Sequence, residues 1–153
     1  MSEVFRVLIE GQDPDIRQVS KPVENIDEEI KPFLEKMKET LAQQKGVGLA
    51  AVQVGILKRF ALVCYKDEKD GYKEPFVMIN PKILSFSDEM MLDEEGCLSI
   101  PGVFDKVYRH KYITVEYKDL ENKTVKENLQ DFDARVVQHE IDHMNGILFL
   151  DRI

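Results

Sequence analysis

His139 and His143 stand four residues apart in "ARVVQHEIDHMNG", residues 134–146, with Glu140 directly after the first histidine. On a helix of about 3.6 residues per turn, positions four apart share a face, so the two imidazoles can converge on one ion. Glu140 is rotated round from them and can address a water that the ion activates. This is the chemistry of H-E-x-x-H: two nitrogen ligands, and a carboxylate that moves a proton as general base. Phe132, Val136, His139 and His143 continue one stripe at steps of four, three and four, which turns the histidines toward the interior.

Two imidazoles do not complete such a site. In the zinc proteases that carry H-E-x-x-H-x-x-G-x-x-H the third ligand is a downstream histidine. Here Gly146 matches the glycine, but Phe149 occupies the histidine position, and Asp151 is the only carboxylate after His143. His110, between Arg109 and Lys111, reads as the solvated end of a hairpin. The search therefore turns upstream to Cys97 in "DEEGCLSIPGV". A thiolate beside two imidazoles leaves one coordination position for water, the open pattern of a catalytic metal. Cys64, inside the apolar run "FALVCY", reads instead as a small buried hydrophobe. In "GVGLAAVQVG", residues 46–55, Gly46 and Gly48 permit close backbone approach. Gln53 interrupts the apolar run there, and beside a metal hydrolase site its amide is a candidate donor to a developing oxyanion.

Several elements must position these groups. Ile30, Phe33, Leu34, Met37 and Leu41 recur at three- and four-residue steps, which predicts an amphipathic helix over 27–45 with Asp27 as N-cap and Gly46 as its stop. "RFALVCY" and "PFVMINPKIL" read as strands. "YITVEYKDLENKTVKENL" alternates Ile113, Val115 and Tyr117 against polar residues and turns near Leu120–Lys123, a hairpin. Asp131 or Asp133 opens the histidine helix, and Gly146 suits its end. The expected class is α+β: antiparallel strands packed around a central metal-binding helix, with an N-terminal helix.

At 153 residues the chain reads as a single domain over 1–153, and 43% hydrophobic with 33% charged residues is a globular composition. Its formal charge of −8 gives no general attraction for phosphate backbones or anionic lipid, so neither nucleic acid nor a membrane is an expected partner. No signal peptide or membrane-length apolar run is recognised, which makes the cytoplasm the default location. Both cysteines are then expected to remain thiols.

"GVGLAAVQ", "EGCLS" and "QHEIDH", in this order, closely resemble the three signature motifs of peptide deformylases, and the similarity runs on to "GILFLDRI", over essentially the whole chain. The resemblance implies a cytoplasmic enzyme, working near the ribosome, that removes the formyl group from nascent polypeptides beginning with formylmethionine. It makes Cys97, His139 and His143 the ligands of one divalent metal, Fe²⁺ physiologically, with Zn²⁺, Ni²⁺ or Co²⁺ able to replace it. It makes Glu140 the proton carrier, and Gln53 and the backbone N–H of Leu98 the oxyanion donors. Val47 and Gly48 border the cleft in which the peptide docks like an added strand. Phe132 and Val136 line the pocket for the methionine side chain.

Two residues depart from the family pattern. Phe104 stands where many bacterial members carry a positive residue, so contacts beyond methionine are expected to be more apolar. Asp131 replaces a usual glycine and leaves the start of the helix altered but well capped. Asp142, between the histidines, is expected to pair with Arg109 and tie the helix to the hairpin. The competing readings are a metalloendopeptidase using the same helix and a non-catalytic metal- or peptide-binding module.

Overall fold

The computed structural model describes residues 4–69 and 71–153. Strands run over Gly48–Ala50 (β1), Phe60–Val63 (β2), Phe76–Phe86 (β3), Met90–Cys97 (β4), Ile100–His110 (β5), Tyr112–Lys118 (β6) and Thr124–Gln130 (β7). Helices run over Ile26–Glu29 (α1), Lys31–Gln44 (α2) and Asp131–Met144 (α3). Five strands form one antiparallel sheet in the order β1-β2-β3-β6-β7, and β4 pairs with β5 in a separate antiparallel ribbon. The α+β class is as expected.

Every residue of β2 is buried because both of its faces are covered. Phe60 and Leu62 join Leu34, Met37 and Leu41 of α2 in one core cluster. Val63 joins Met78, Ile113 and Val115, and with them packs against Ala134, Val136 and Val137 of α3. The sheet is thus sandwiched between α2 and α3, and each fully buried large aliphatic or aromatic side chain adds roughly 1.5–3 kcal/mol. The alternation read in β6 is seen directly: Ile113, Val115 and Tyr117 are buried, and their neighbours are not. No helix among the described residues is long and apolar enough to cross a membrane.

Local chemistry moved several boundaries. The helix expected over 27–45 breaks at Ile30, where Pro32 follows in the first turn of α2. Proline has no N–H for the preceding turn and clashes with its carbonyl, so the two segments cannot be continuous. Asn25, not Asp27, caps the first piece, its Oδ1 accepting from Glu28 N at 3.2 Å. Lys45, not Gly46, takes the left-handed position at the end of α2 (φ 56°), and Gly46 N donates to Leu41 O at 3.2 Å. Gly146 does end α3 with φ 75°, and a Cβ there would lie 2.3 Å from Arg17 O.

The expectation that Asp131 caps α3 is overturned. Its backbone sits at φ 55°, and no side-chain cap bond is formed at this helix start. Asp133 is drawn elsewhere, its carboxylate accepting from Lys66 N at 3.0 Å. The left-handed backbone supplies the physical reason a glycine suits position 131.

Candidate active site

Three elements bring the predicted residues together. α3 carries His139, Glu140 and His143; the end of β4 carries Cys97; and Gln53 belongs to the short 3-10 turn Ala51–Val54 that follows β1. His139 Nε2 and His143 Nε2 face each other at 3.2 Å, and Cys97 Sγ lies 3.3 Å from His143 Nε2. The three donor atoms all lie within 4.8 Å of one another. His110 is apart from them, its Nδ1 against Ser87 O at 2.8 Å. Cys64 is buried in the core as expected, and both cysteines are free.

The electrostatics of this cluster favour a cation at its centre. Burial opposes a charge on His139, yet the hydrogen bonds to Cys97 and Glu95 and the nearby Glu140 push its pKa up to about 10. The groups that raise it, the Cys97 thiol and the Glu95 and Glu140 carboxyls, make the surroundings of this imidazole favourable to positive charge. Burial, reinforced by the positive charges of His139 and Arg109, drives His143 well below its ordinary value, so it presents a neutral imidazole. Two imidazoles and a thiol are the donor set of a divalent transition metal. The residues fit such an ion.

The carboxylate beside the cluster is tuned by its surroundings. Glu140 is buried, its Oε1 has no hydrogen-bond partner, and burial pushes its pKa up to about 7. That is the range in which a carboxylate can take a proton and return it at neutral pH. Gly48 makes room for it: a Cβ at Gly48 would sit 2.3 Å from Glu140 Oε2. Gln53 is held by Ala50 N, which donates to its Oε1 at 2.9 Å. Its Nε2 then points to Ser99 Oγ at 3.1 Å and toward Cys97 Sγ at 3.7 Å.

Most of these groups open onto one cavity of about 510 Å³. Val47, Gly48, Gln53, Cys97, Leu98, Phe132, Val136, His139 and Glu140 line it, while His143 lies fully buried behind its wall. Leu98 sits in the turn between β4 and β5. Phe104 lies at the cleft, 64% exposed, with its ring where a side chain on Gly96 would be.

Behind the cluster lies a buried charge network that the motif reading reached only in part. The expected Arg109–Asp142 pair is present at 2.5 Å. Arg109 also grips Glu95 with two bonds of 2.8 and 2.9 Å, and Glu95 accepts from His139 Nδ1 at 2.8 Å. That bond turns His139 so that Nε2 meets the cluster. Burial works against the Glu95 charge, but the hydrogen bonds from Arg109 and His139 hold its carboxyl far below the usual range. Arg135 adds a further bond to Glu95 at 2.6 Å, and Arg152 grips Asp142 at 2.8 and 3.1 Å. Arg135 lies four residues before His139, so helical spacing alone could have placed it on the same face. Nothing in the acidic run before Gly96 separates Glu95 from Asp93 and Glu94.

A thiol and two imidazoles beside a buried carboxylate, at the wall of an open cleft on an α+β scaffold, define a metal-dependent hydrolase. The family model for polypeptide deformylase matches residues 5–153, and the chain belongs to that family. A peptide deformylase of Rhizobium meliloti is 46% identical over 149 residues, covering 97% of this chain and 85% of the relative. The crystal structure of peptide deformylase from Thermotoga maritima superposes with a TM-score of 0.89 at 44% identity, covering 99% of this chain and 98% of that one. A Met-Ala-Ser-bound class I type b peptide deformylase of Acinetobacter baumannii has a TM-score of 0.88 at 40% identity, with both chains fully covered.

Proposed function

We propose that Cys97, His139 and His143 hold one divalent metal ion and that Glu140 carries the proton in the reaction. The enzyme is a hydrolase that removes the N-formyl group from nascent peptides. The carrying observation is the convergence of Cys97 Sγ and two imidazole Nε2 atoms beside Glu140 at the wall of one cavity. An ion bound there supplies a Lewis acid that acidifies water and polarises a carbonyl oxygen.

Glu140 takes a proton from the attacking water, and the resulting hydroxide adds to the formyl carbon. The Gln53 amide and the Leu98 N–H donate to the oxygen on which negative charge develops. The C–N bond then breaks as Glu140 returns the proton to the leaving nitrogen. Formate and a free α-amino group result. Val47 and Gly48 border the peptide backbone, and Phe132 and Val136 receive the methionine side chain. The Acinetobacter baumannii relative binds Met-Ala-Ser, a peptide that begins with methionine, which accords with a peptide cleft in this chain.

In this reading residues 1–153 form one catalytic domain in which antiparallel strands surround the metal-binding helix. Fe²⁺ is the physiological ion, with Zn²⁺, Ni²⁺ or Co²⁺ able to replace it, and the enzyme works in the cytoplasm close to the ribosome. Formate release from a formyl-Met peptide, measured beside metal content, tests the roles. Glu140→Gln is expected to keep the metal and lose about 10²–10⁴-fold in rate. Cys97→Ser is expected to lose both metal and activity. Full activity in the glutamine variant would remove Glu140 from the mechanism.

A further inference from the structure

Leu98 and Gln53 reach the cleft from different elements, Leu98 in the turn between β4 and β5 and Gln53 in the 3-10 turn Ala51–Val54. Ser99 joins the two. It follows Leu98 directly in that turn and is 0% exposed, so a ligand in the cleft cannot touch it. Its Oγ accepts from Gln53 Nε2 at 3.1 Å. On the far side of the same amide, Ala50 N donates to Gln53 Oε1 at 2.9 Å. Turning the amide over would set its NH₂ against that donor, so the two bonds together fix which way it faces. The backbones are pinned by one segment: Leu8 N donates to Gln53 O at 2.7 Å, and Glu10 N to Ser99 O at 2.9 Å.

We propose that Ser99 is a positioning residue that sets the Gln53 amide in register with the Leu98 N–H, so that both donors meet one developing oxyanion. The inference rests on the deformylase reading and on Gln53 as an oxyanion donor. An amide NH₂ has two hydrogens. Ser99 takes one, and the other is left for the side of the metal-ligand cluster, where Cys97 Sγ lies 3.7 Å from Nε2. Donors of this kind lower a barrier because they are aimed before the charge develops. Losing the strut between them therefore costs rate in the transition state rather than affinity for the substrate.

A double-mutant cycle on formyl-Met-Ala-Ser, with metal content measured for every variant, provides the test. Ser99→Ala removes the acceptor and is expected to lower kcat about tenfold, with KM little changed and metal content as in the parent. Gln53→Leu alone is expected to lose about 10²–10³-fold in kcat. Adding Ser99→Ala to Gln53→Leu should then cost nothing more, because Ser99 acts only through the amide. An undiminished kcat in Ser99→Ala would overturn the role. So would loss of metal from that variant, or a second tenfold fall in the Gln53→Leu background, since either assigns Ser99 to general support of the site. Gln53→Leu with the parent's kcat would remove the oxyanion donor and the strut together. No turnover of the formyl peptide by the parent enzyme would instead refute the deformylase reading, an outcome distinct from an additive cycle.

Discussion

Gly48 and Glu140 occupy neighbouring space that no larger residue could share. A methyl at position 48 would stand 2.3 Å from Oε2 and 2.9 Å from Cδ of Glu140. Gly48→Ala must therefore displace the carboxylate or push β1 outward. Misplacement of a catalytic group by about 1 Å can cost about 10²-fold in rate, and that is the loss expected here. Because the nearest contacts of the new methyl are all with Glu140 and not with the three proposed metal donors, metal content should match that of the parent enzyme. Kinetics and metal analysis on the same preparation check both halves of the prediction. A variant with unchanged kcat would show that the carboxylate tolerates another position.

The ends of helices carry the next set of consequences. Asp131 holds a left-handed backbone at φ 55°, and a left-handed conformation costs an L-residue about 1–2 kcal/mol, with less for aspartate. Asp131→Gly is accordingly expected to raise the thermal midpoint slightly. Gly146→Ala should lower it clearly, since the new methyl meets the Arg17 carbonyl as well as an unfavourable φ of 75°. At the other end of the chain, Lys58 and the N–H groups of Asn25 and Glu24 hold the Glu29 carboxyl at about 2, below its ordinary 4.5. The folded form therefore stays ionised where the unfolded chain takes up a proton. This contribution is fully present above pH 4.5 and is lost as pH falls toward 2. Glu29→Gln removes it, so the gap in thermal midpoint between parent and variant should close over that window.

At the scale of the molecule, the proposed metal donors Cys97, His139 and His143 are backed by a buried network joining the β4–β5 ribbon to α3. Arg109 bonds two carboxylates at once, Glu95 and Asp142. Arg109→Met leaves both charges without that partner, and breaking a buried pair in this way costs about 3–5 kcal/mol. Thermal unfolding would register the loss, and weaker metal retention should accompany it because Glu95 also orients His139. A chelator should lower the midpoint of the parent enzyme, and added divalent metal should restore it, since an ion that binds only the folded state stabilises that state by mass action.

The histidine spacing, the cysteine between Gly96 and Leu98, and the glycine-flanked glutamine were all readable along the chain. Each depends on residue type and short-range periodicity, which sequence records directly. So were the fully apolar β2 and the alternating β6, because burial on two faces or on one leaves a distinct pattern. β4 and β5 went unread as strands, since their inner face carries Glu95 and Arg109 while Leu92 and Tyr108 face outward. That blurs the usual signal: the interior face there is satisfied partly by ion pairs and only partly by apolar packing, as at Val107. Only the tertiary structure could choose Glu95 among three adjacent acids, give Asp131 its left-handed backbone, and set Arg135 against Glu95. Those outcomes depend on partners from 14 to 44 residues away in the chain, where Glu95 meets Arg109 and His139. A sequence lists the ligands of such a site, but packing decides what holds them.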